Sequence, residues 1–261
     1  MNSLALLKGR FQEEVFVFAS GASAKDFPIL NYREKKFICV NGAVNIFLEK
    51  NINPFAYVFN DESFLVNSLD LVFMAISKSQ YVFMPEELYL KYIKRVVVER
   101  GEVERVFFIE RVNRPYGIQG ISDRVFYLKN IFNKDYVFNF SILSSRKNRI
   151  GFSRNLEKGY FCARTIPYVA LQIAKYMGFN KVFMVGLDLN SKAGRFYEKN
   201  RVLPTSIDKD YLRFILPSFE LMSNKVIGDD FRVFNLSPIS RLPESVLKKI
   251  DTIKLDEFLN E

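Results

Sequence analysis

The feature that most constrains this chain is a set of apolar runs that stop abruptly at small or polar residues. Phe16-Val17-Phe18 runs into Ala19-Ser20-Gly21-Ala22-Ser23, and Phe37-Ile38-Cys39-Val40 into Asn41-Gly42. Tyr57-Val58-Phe59 runs into Asn60-Asp61-Glu62-Ser63, and Lys181-Val182-Phe183-Met184-Val185 into Gly186-Leu187-Asp188-Leu189-Asn190. In open α/β sheets, ligands bind in the crevice beyond the carboxyl ends of the strands. Four ends carrying Gly, Asn and Asp therefore sketch a single site.

The pattern around these runs is α/β. Strands are expected at about 15–19, 36–40, 56–60, 81–84 and 105–109, with helices over 63–77 and 86–95 between them. Strands separated by short helices predict βαβ units and a parallel sheet. The clearest helix is Ile166 to Met177, whose apolar residues cover much of its circumference and predict deep burial. Thr165 is placed to cap it, Pro167 fits its first turn, and Gly178 ends it before the strand 181–185. Residues 111–160 contain Arg114-Pro115-Tyr116-Gly117, a candidate strand at 136–140 and a basic stretch at 144–149 that reads as a substrate-facing loop or a solvated connection. The polar segment 191–206 reads as a lid. A helix over 210–224 is expected to kink or break at Pro217. A strand follows at 232–236, and the tail from Pro243 reads as a helix and a short terminal segment.

Composition removes whole chemistries. The 261 residues include 27 Phe but no His and no Trp. Without His there is no Ser-His-Asp triad, no His-ligated metal and no imidazole base. Cys39 and Cys162 alone argue against a structural zinc site and give no disulfide framework, which fits a cytoplasmic chain. Both lie in apolar runs and read as buried free thiols. The formal charge of +9 points to anionic partners or a membrane face. No nucleic-acid motif is present, the first ten residues do not form a signal peptide, and no apolar run reaches the ~20 residues of a membrane span. Peripheral contact with the inner face of the cytoplasmic membrane is one expectation; a plain solvated basic surface is the other.

The strand ends define candidate site residues. Ser20-Gly21-Ala22-Ser23 lets backbone N–H groups approach an anion. It lacks the G-x-G-x-x-G spacing of dinucleotide sites and any Walker lysine pattern. Asn41 and Asn60 offer donor and acceptor to a base or ribose edge, or simply close turns. Asp188, with Asp61 and Glu62, supplies carboxylates of the kind that act at anomeric carbons; a structural cap is the alternative for Asp188. Arg164, Arg195, Lys199 and Arg201 are candidates for a phosphate or sugar carboxylate, Arg164 first because it borders the buried helix.

In order along the chain, these pieces resemble bacterial CMP-sugar glycosyltransferases: the family 42 sialyltransferases and, more closely, the family 99 β-Kdo transferases (Kdo, 3-deoxy-D-manno-octulosonic acid). Ser20–Ser23 resembles the sialyltransferase Gly-Asn-Gly-Pro-Ser loop, and Asn41 and Asn60 follow the second and third strands as in that family. Thr165 with its helix and Gly186-Leu187-Asp188 resemble the Thr-Ser-Gly helix and Gly-Ile-Asp strand end, and Ser237-Pro238-Ile239-Ser240 resembles the late Cys-Pro-Asn-Ser segment. The resemblance implies a Rossmann-like, mostly parallel sheet with flanking helices, a GT-A/GT-B variant of sialyltransferase type. It implies a single domain over 1–261, with 1–110 the nucleotide-binding part and 111–261 carrying the Gly-x-Asp strand end and lid. CMP would be held by Gly21, Ser23, Asn41 and Asn60, with Arg164, Thr165, Gly186, Ser237 and Ser240 also binding substrate. No cofactor or divalent metal is implied. Family 42 enzymes use a His base, which this chain lacks; family 99 enzymes retain configuration through a carboxylate, here Asp188, with Glu62 or Asp61 as acid/base. The implied reaction is Kdo transfer from CMP-β-Kdo to a lipopolysaccharide or capsule glycan. A sialyltransferase, a pterin diphosphokinase-like enzyme and a non-catalytic glycan-binding module are the alternatives.

Overall fold

The computed structural model describes residues 2–139, 141, 144, 147–197 and 206–260. Its strands, in chain order, are β1 (Glu14–Phe18), β2 (Phe37–Val40), β3 (Ala56–Val58), β4 (Tyr81–Met84), β5 (Val106–Phe108), β6 (Tyr136–Phe138), β7 (Gly151–Ser153), β8 (Lys181–Val185) and β9 (Arg232–Asn235). Seven of them form one sheet in the order β5-β4-β3-β2-β1-β8-β9, every pairing parallel. The Rossmann-like parallel sheet with flanking helices is thus the observed architecture. β6 and β7 pair antiparallel in a separate ribbon.

Strand alternation sorts the apolar residues onto two faces. Along β1, Val15 and Val17 enter one core with Ile38, Val40, Val182 and Met184. Phe16 and Phe18 enter the other with Phe37, Cys39, Phe183 and Phe234. The abundance of Phe has a physical place here. Phe37, Phe16, Phe183 and Phe234 form a row across four neighbouring strands, with ring centroids 5.1, 5.2 and 5.4 Å apart. Such contacts add to the burial of the rings themselves. Cys39 is fully buried in this face, and burial pushes its thiol well above the usual range. Cys162 departs from the expected buried thiol: it is only half-buried, on the wall of a cavity.

Helix Ile166–Met177 covers the first face and packs on β1 and β2, with every residue buried except Ile166 and Lys175. Gly178 ends it at φ +98°, where a Cβ would stand 2.6 Å from the Phe11 carbonyl oxygen. Thr165 is extended at its start, but its side chain makes no capping hydrogen bond. The helix expected over 63–77 is two, Glu62–Asn67 and Leu69–Lys78, broken where Ser68 leaves helical geometry. Pro217 does not break its helix. A π turn over Tyr211–Ile215 precedes it, so Pro217 falls in the first turn of Leu216–Lys225, where its missing N–H costs nothing. The tail also differs from expectation: residues 243–250 run in turns, Lys249 bridges Asn235, and the helix is confined to Leu255–Asn260.

Candidate active site

From β1 to β5 the chain steps outward along one half of the sheet. It then returns through the β6–β7 ribbon and helix Ile166–Met177 to place β8 on the other side of β1. The strand order therefore reverses between β1 and β8, the place where open α/β sheets bind ligands. A cavity of about 920 Å³ opens there, lined by the ends of β1, β2, β3, β5 and β8 and the start of helix Ile166–Met177.

The β1 and β8 ends are locked together. The Ala19 N–H donates to the Val185 carbonyl (2.8 Å) and the Gly21 N–H to that of Gly186 (3.0 Å). The Ser23 N–H donates to Asp188 Oδ2 (2.9 Å), and the Ser23 hydroxyl donates to Oδ1. A Cβ on Gly21 would lie 2.5 Å from both Asp188 Cγ and the Gly186 oxygen, so only glycine permits this approach. The segment after β9 supports the same loop from behind: Ser240 Oγ donates to the Leu187 carbonyl (2.5 Å) and the Arg241 N–H to that of Asp188 (3.0 Å). Gly21 and Gly186 line the cavity. Ser23, Asp188, Ser237 and Ser240 stand behind its wall, and Asp188 is 1% exposed.

Asn41 follows β2 at φ +45°, lines the cavity, and has a buried side-chain oxygen with no partner among the described residues. A buried acceptor left unpaired is costly unless a ligand serves it. Asn60, after β3, donates from Nδ2 to the Tyr160 hydroxyl (3.1 Å), whose buried phenol is pushed up to about 12 and stays neutral. Asp61 is committed as a helix cap, its Oδ1 accepting the N–H groups of Ser63 (2.9 Å) and Phe64 (3.3 Å). Glu62 accepts from Lys91 Nζ (2.5 Å) and the Tyr92 hydroxyl (2.6 Å), which hold its carboxyl below the usual range. Both carboxylates line the cavity at its exposed edge.

The wall opposite comes from residues to which sequence reasoning gave no role. Glu110, two residues past β5, is half-buried and accepts the Glu86 N–H (2.9 Å) and the Tyr116 N–H (3.2 Å). Burial outweighs those bonds and holds its carboxyl above the usual range, with Glu86 and Glu87 adding to the effect. Arg111 follows, and Arg114-Pro115-Tyr116-Gly117 forms the lip. The strand-end rule applied to 105–109 would have found Glu110 and Arg111; nothing in the sequence marks Tyr160.

Arg164 lies beside them. Ala163 (φ +45°) and Arg164 (φ +59°) are consecutive non-glycine residues in the left-handed region, each costing about 1–2 kcal/mol. Buried Gln172 opposes that strain. Its Oε1 accepts the N–H groups of Ser153 (3.0 Å) and Phe161 (2.9 Å), and its Nε2 donates to the carbonyls of Phe161 (2.8 Å) and Tyr168 (3.1 Å). The strained turn puts the Arg164 guanidinium 5.5 Å from the Phe214 ring centre, with Thr165 beside it on the cavity wall.

The described part of the 191–206 segment crosses the strand ends. Arg195 bridges Gly21, the Phe196 N–H donates to the Ser20 carbonyl (3.2 Å), and the Tyr197 ring occupies the space a Gly42 Cβ would take. Lys199 and Arg201 lie outside the described residues.

The cavity at the switch point of the parallel sheet is lined by guanidines, by the amides of Asn41 and Asn60, and by the carboxylates of Asp61, Glu62, Glu87 and Glu110. The family model for the 3-deoxy-D-manno-octulosonic acid transferase WaaZ matches residues 2–252, and the chain belongs to that family of glycosyltransferases. A probable 3-deoxy-manno-octulosonic acid transferase of Escherichia coli (strain K12) is 29% identical over 98% of this chain and 88% of its own length. Its counterpart in Salmonella typhimurium (strain LT2) is 28% identical over 97% and 93%. Among solved structures, the MAf glycosyltransferase from Magnetospirillum magneticum AMB-1 superposes with a TM-score of 0.53 at 12% identity; the match covers 94% of this chain and 35% of that longer one.

Proposed function

We propose that the chain transfers Kdo from CMP-β-Kdo to a glycan or glycolipid acceptor of a lipopolysaccharide or capsule. The observation that carries this reading is the buried amide oxygen of Asn41, without a partner among the described residues, on a cavity also lined by Arg111 and Arg164. The amide suits an amino group such as that of cytosine, and guanidines suit a phosphate and a sugar carboxylate. The backbone turn at Ser20–Gly21 and the start of helix Ile166–Met177 supply further positive potential where the CMP phosphate would leave.

In the reaction, the bond from the anomeric carbon to the phosphate oxygen of CMP breaks and a bond to an acceptor hydroxyl forms. The acceptor proton passes to a base. Glu110 is our assignment for that base: it faces the cavity, and burial raises its basicity, whereas Asp61 caps a helix and Glu62 is ion-paired. Retention through Asp188 as nucleophile requires Ser23 to release the carboxylate when donor binds, because both of its oxygens are engaged. If Ser23 keeps it, Asp188 is a positioning residue for the donor turn.

The first test is thermal stabilisation by CMP against UMP, ADP and NAD, with and without Mg²⁺. A CMP-selective, metal-independent shift is expected; an ADP shift that needs Mg²⁺ overturns the reading. Turnover of CMP-Kdo is then compared with that of CMP-sialic acid. Intact-mass detection of a Kdo adduct, lost in Asp188→Ala, supports the nucleophile; near-normal turnover of that variant removes it.

A further inference from the structure

We propose that the surface of helix Asp123–Asn130 is a docking face for an anionic lipid bilayer, set at the lip of the active-site cavity. The helix is apolar on two opposite sides. Inward, Tyr127 is buried and Phe126 packs on the Tyr136 ring at 5.9 Å. Outward, Val125 and Leu128 of the helix stand three residues apart, with Ile121 just before its Ser122 cap and Phe132 in the turn that follows it, and all four are exposed. Leu128 is 57% and Phe132 93% exposed. Single exposed apolar residues need no explanation, but an apolar stripe aimed at solvent does.

The occupant is argued from charge. Arg124 lies on one side of the stripe and Lys129 on the other, with Lys134 just beyond the helix. All three are exposed, and none is paired with an acid among the described residues. The acid of this helix, Asp123, is turned away and holds Arg114 (2.8 Å) and Arg149 (2.8 Å). An apolar stripe between unpaired cations suits an anionic bilayer, which accepts the side chains between its headgroups and the cations at their phosphates.

The face is tied to the site through the 113–121 loop. Asn113 Nδ2 donates to the Ile121 carbonyl (2.6 Å) and its Oδ1 accepts the Ile121 N–H (3.1 Å), closing the 113–121 loop. Arg114 to Gly117 in that loop line the cavity. A membrane touching the stripe therefore lies beside the cavity mouth. That such contact presents a glycolipid acceptor rests on the transfer reading above; the lipid contact itself does not.

The test is co-sedimentation of the full chain with vesicles of phosphatidylcholine alone and of phosphatidylcholine mixed with phosphatidylglycerol, whose anionic headgroups attract Lys and Arg near the surface. Binding only to the anionic vesicles is expected, weakening as salt is raised. The double variant Leu128→Ser/Phe132→Ser, and separately Arg124→Glu/Lys129→Glu, should each lose at least about tenfold in partition, in line with loss of two buried apolar groups or two surface charges. CMP-induced thermal stabilisation of these variants reports folding and the donor site independently. A CMP shift without vesicle binding overturns the lipid face and spares the transfer reading; vesicle binding without a CMP shift does the reverse. Wild-type partition by the variants, or a self-association that they abolish in place of vesicle binding, also overturns the proposal.

Discussion

Gln172 is the side chain whose removal should report most directly on how the site is held. It is fully buried in helix Ile166–Met177 and makes four hydrogen bonds, two of them accepted from the Ser153 and Phe161 N–H groups and one donated to the Phe161 carbonyl. Its fourth partner, the Tyr168 carbonyl, lies four residues back in the same helix. Gln172→Leu keeps the volume and strips three backbone groups of their partner. Each buried group left unpaired costs about 1–3 kcal/mol. At about 2 kcal/mol for each of the three groups, and allowing about 1–2 kcal/mol back for the apolar replacement, the net loss is roughly 4–5 kcal/mol, a large part of a total stability of about 5–15 kcal/mol. At about 2–4 °C per kcal/mol for a chain of this size, Tm should fall by about 8–20 °C. Urea unfolding and calorimetry give the two figures independently. The loss should also reach the site. The segment Phe161–Arg164 is strained at Ala163 and Arg164, and Gln172 is what fastens its start. Nucleotide affinity measured well below the variant's Tm should therefore fall. A change within about 0.5 kcal/mol of wild type, the range of an ordinary surface substitution, would refute the reasoning.

Three further outcomes are expected. Gly21→Ala should keep the fold but force the Ser20–Ser23 turn away from Asp188 and Gly186, abolishing CMP stabilisation in the thermal-shift assay; an undiminished shift would show that the turn does not carry the donor. Glu110 has a raised folded pKa, so the stability it contributes is present below its unfolded pKa and is lost as pH rises through the folded one. Glu110→Gln should remove that part of the decline as pH rises above about 4.3, the unperturbed Glu value, while slowing transfer; equal pH slopes in wild type and variant would sink the assignment. Asp123 is the opposite case: burial alone would raise its pKa, but Arg149 and Arg114 outweigh it and hold the carboxyl low. Its stabilisation is present above the unfolded pKa and lost as pH falls through the folded one, so Asp123→Asn should flatten the acid limb of the unfolding profile below about pH 4.

The parallel sheet was legible because its strands are unbroken apolar runs ending in punctuation, and β1, β2, β4 and β8 fall within a residue of where the runs place them. Gly21, Asn41, Asn60 and Gly186 were legible for the same reason: a strand end fixes where a residue stands, whatever the rest of the chain does. What was not legible depends on contacts between distant segments. Ser68 breaks a helical pattern that local propensity would continue, and the π turn at Tyr211–Ile215 absorbs a proline that local rules treat as a break. Tyr160 reaches Asn60 across 100 positions, brought there by the β6–β7 ribbon and Gln172, and no local signal encodes that meeting.

The carboxylates show most clearly what position in sequence can and cannot say. Asp61, Glu62, Glu110 and Asp188 all follow strands, and the strand-end rule treats them alike. The structure separates them by what already occupies their oxygens. Asp61 is satisfied by the first turn of its own helix, Glu62 by a lysine and a tyrosine, and Asp188 by Ser23. Glu110 is held by two backbone N–H groups and forms no ion pair among the described residues; the charge of neighbouring Arg111 reaches it, but burial sets the direction of its pKa. A group that must take a proton from a hydroxyl needs that condition: held in place, facing the cavity, and not neutralised by an ion pair. A group that must attack carbon needs a free oxygen, which Asp188 gains only if the Ser23 turn opens. Donor binding at Gly21 is the event adjacent to that turn, so Ser23→Ala separates the two roles. It should raise adduct formation if Asp188 is a nucleophile restrained by Ser23, and lower donor affinity without any adduct if Asp188 only holds the turn.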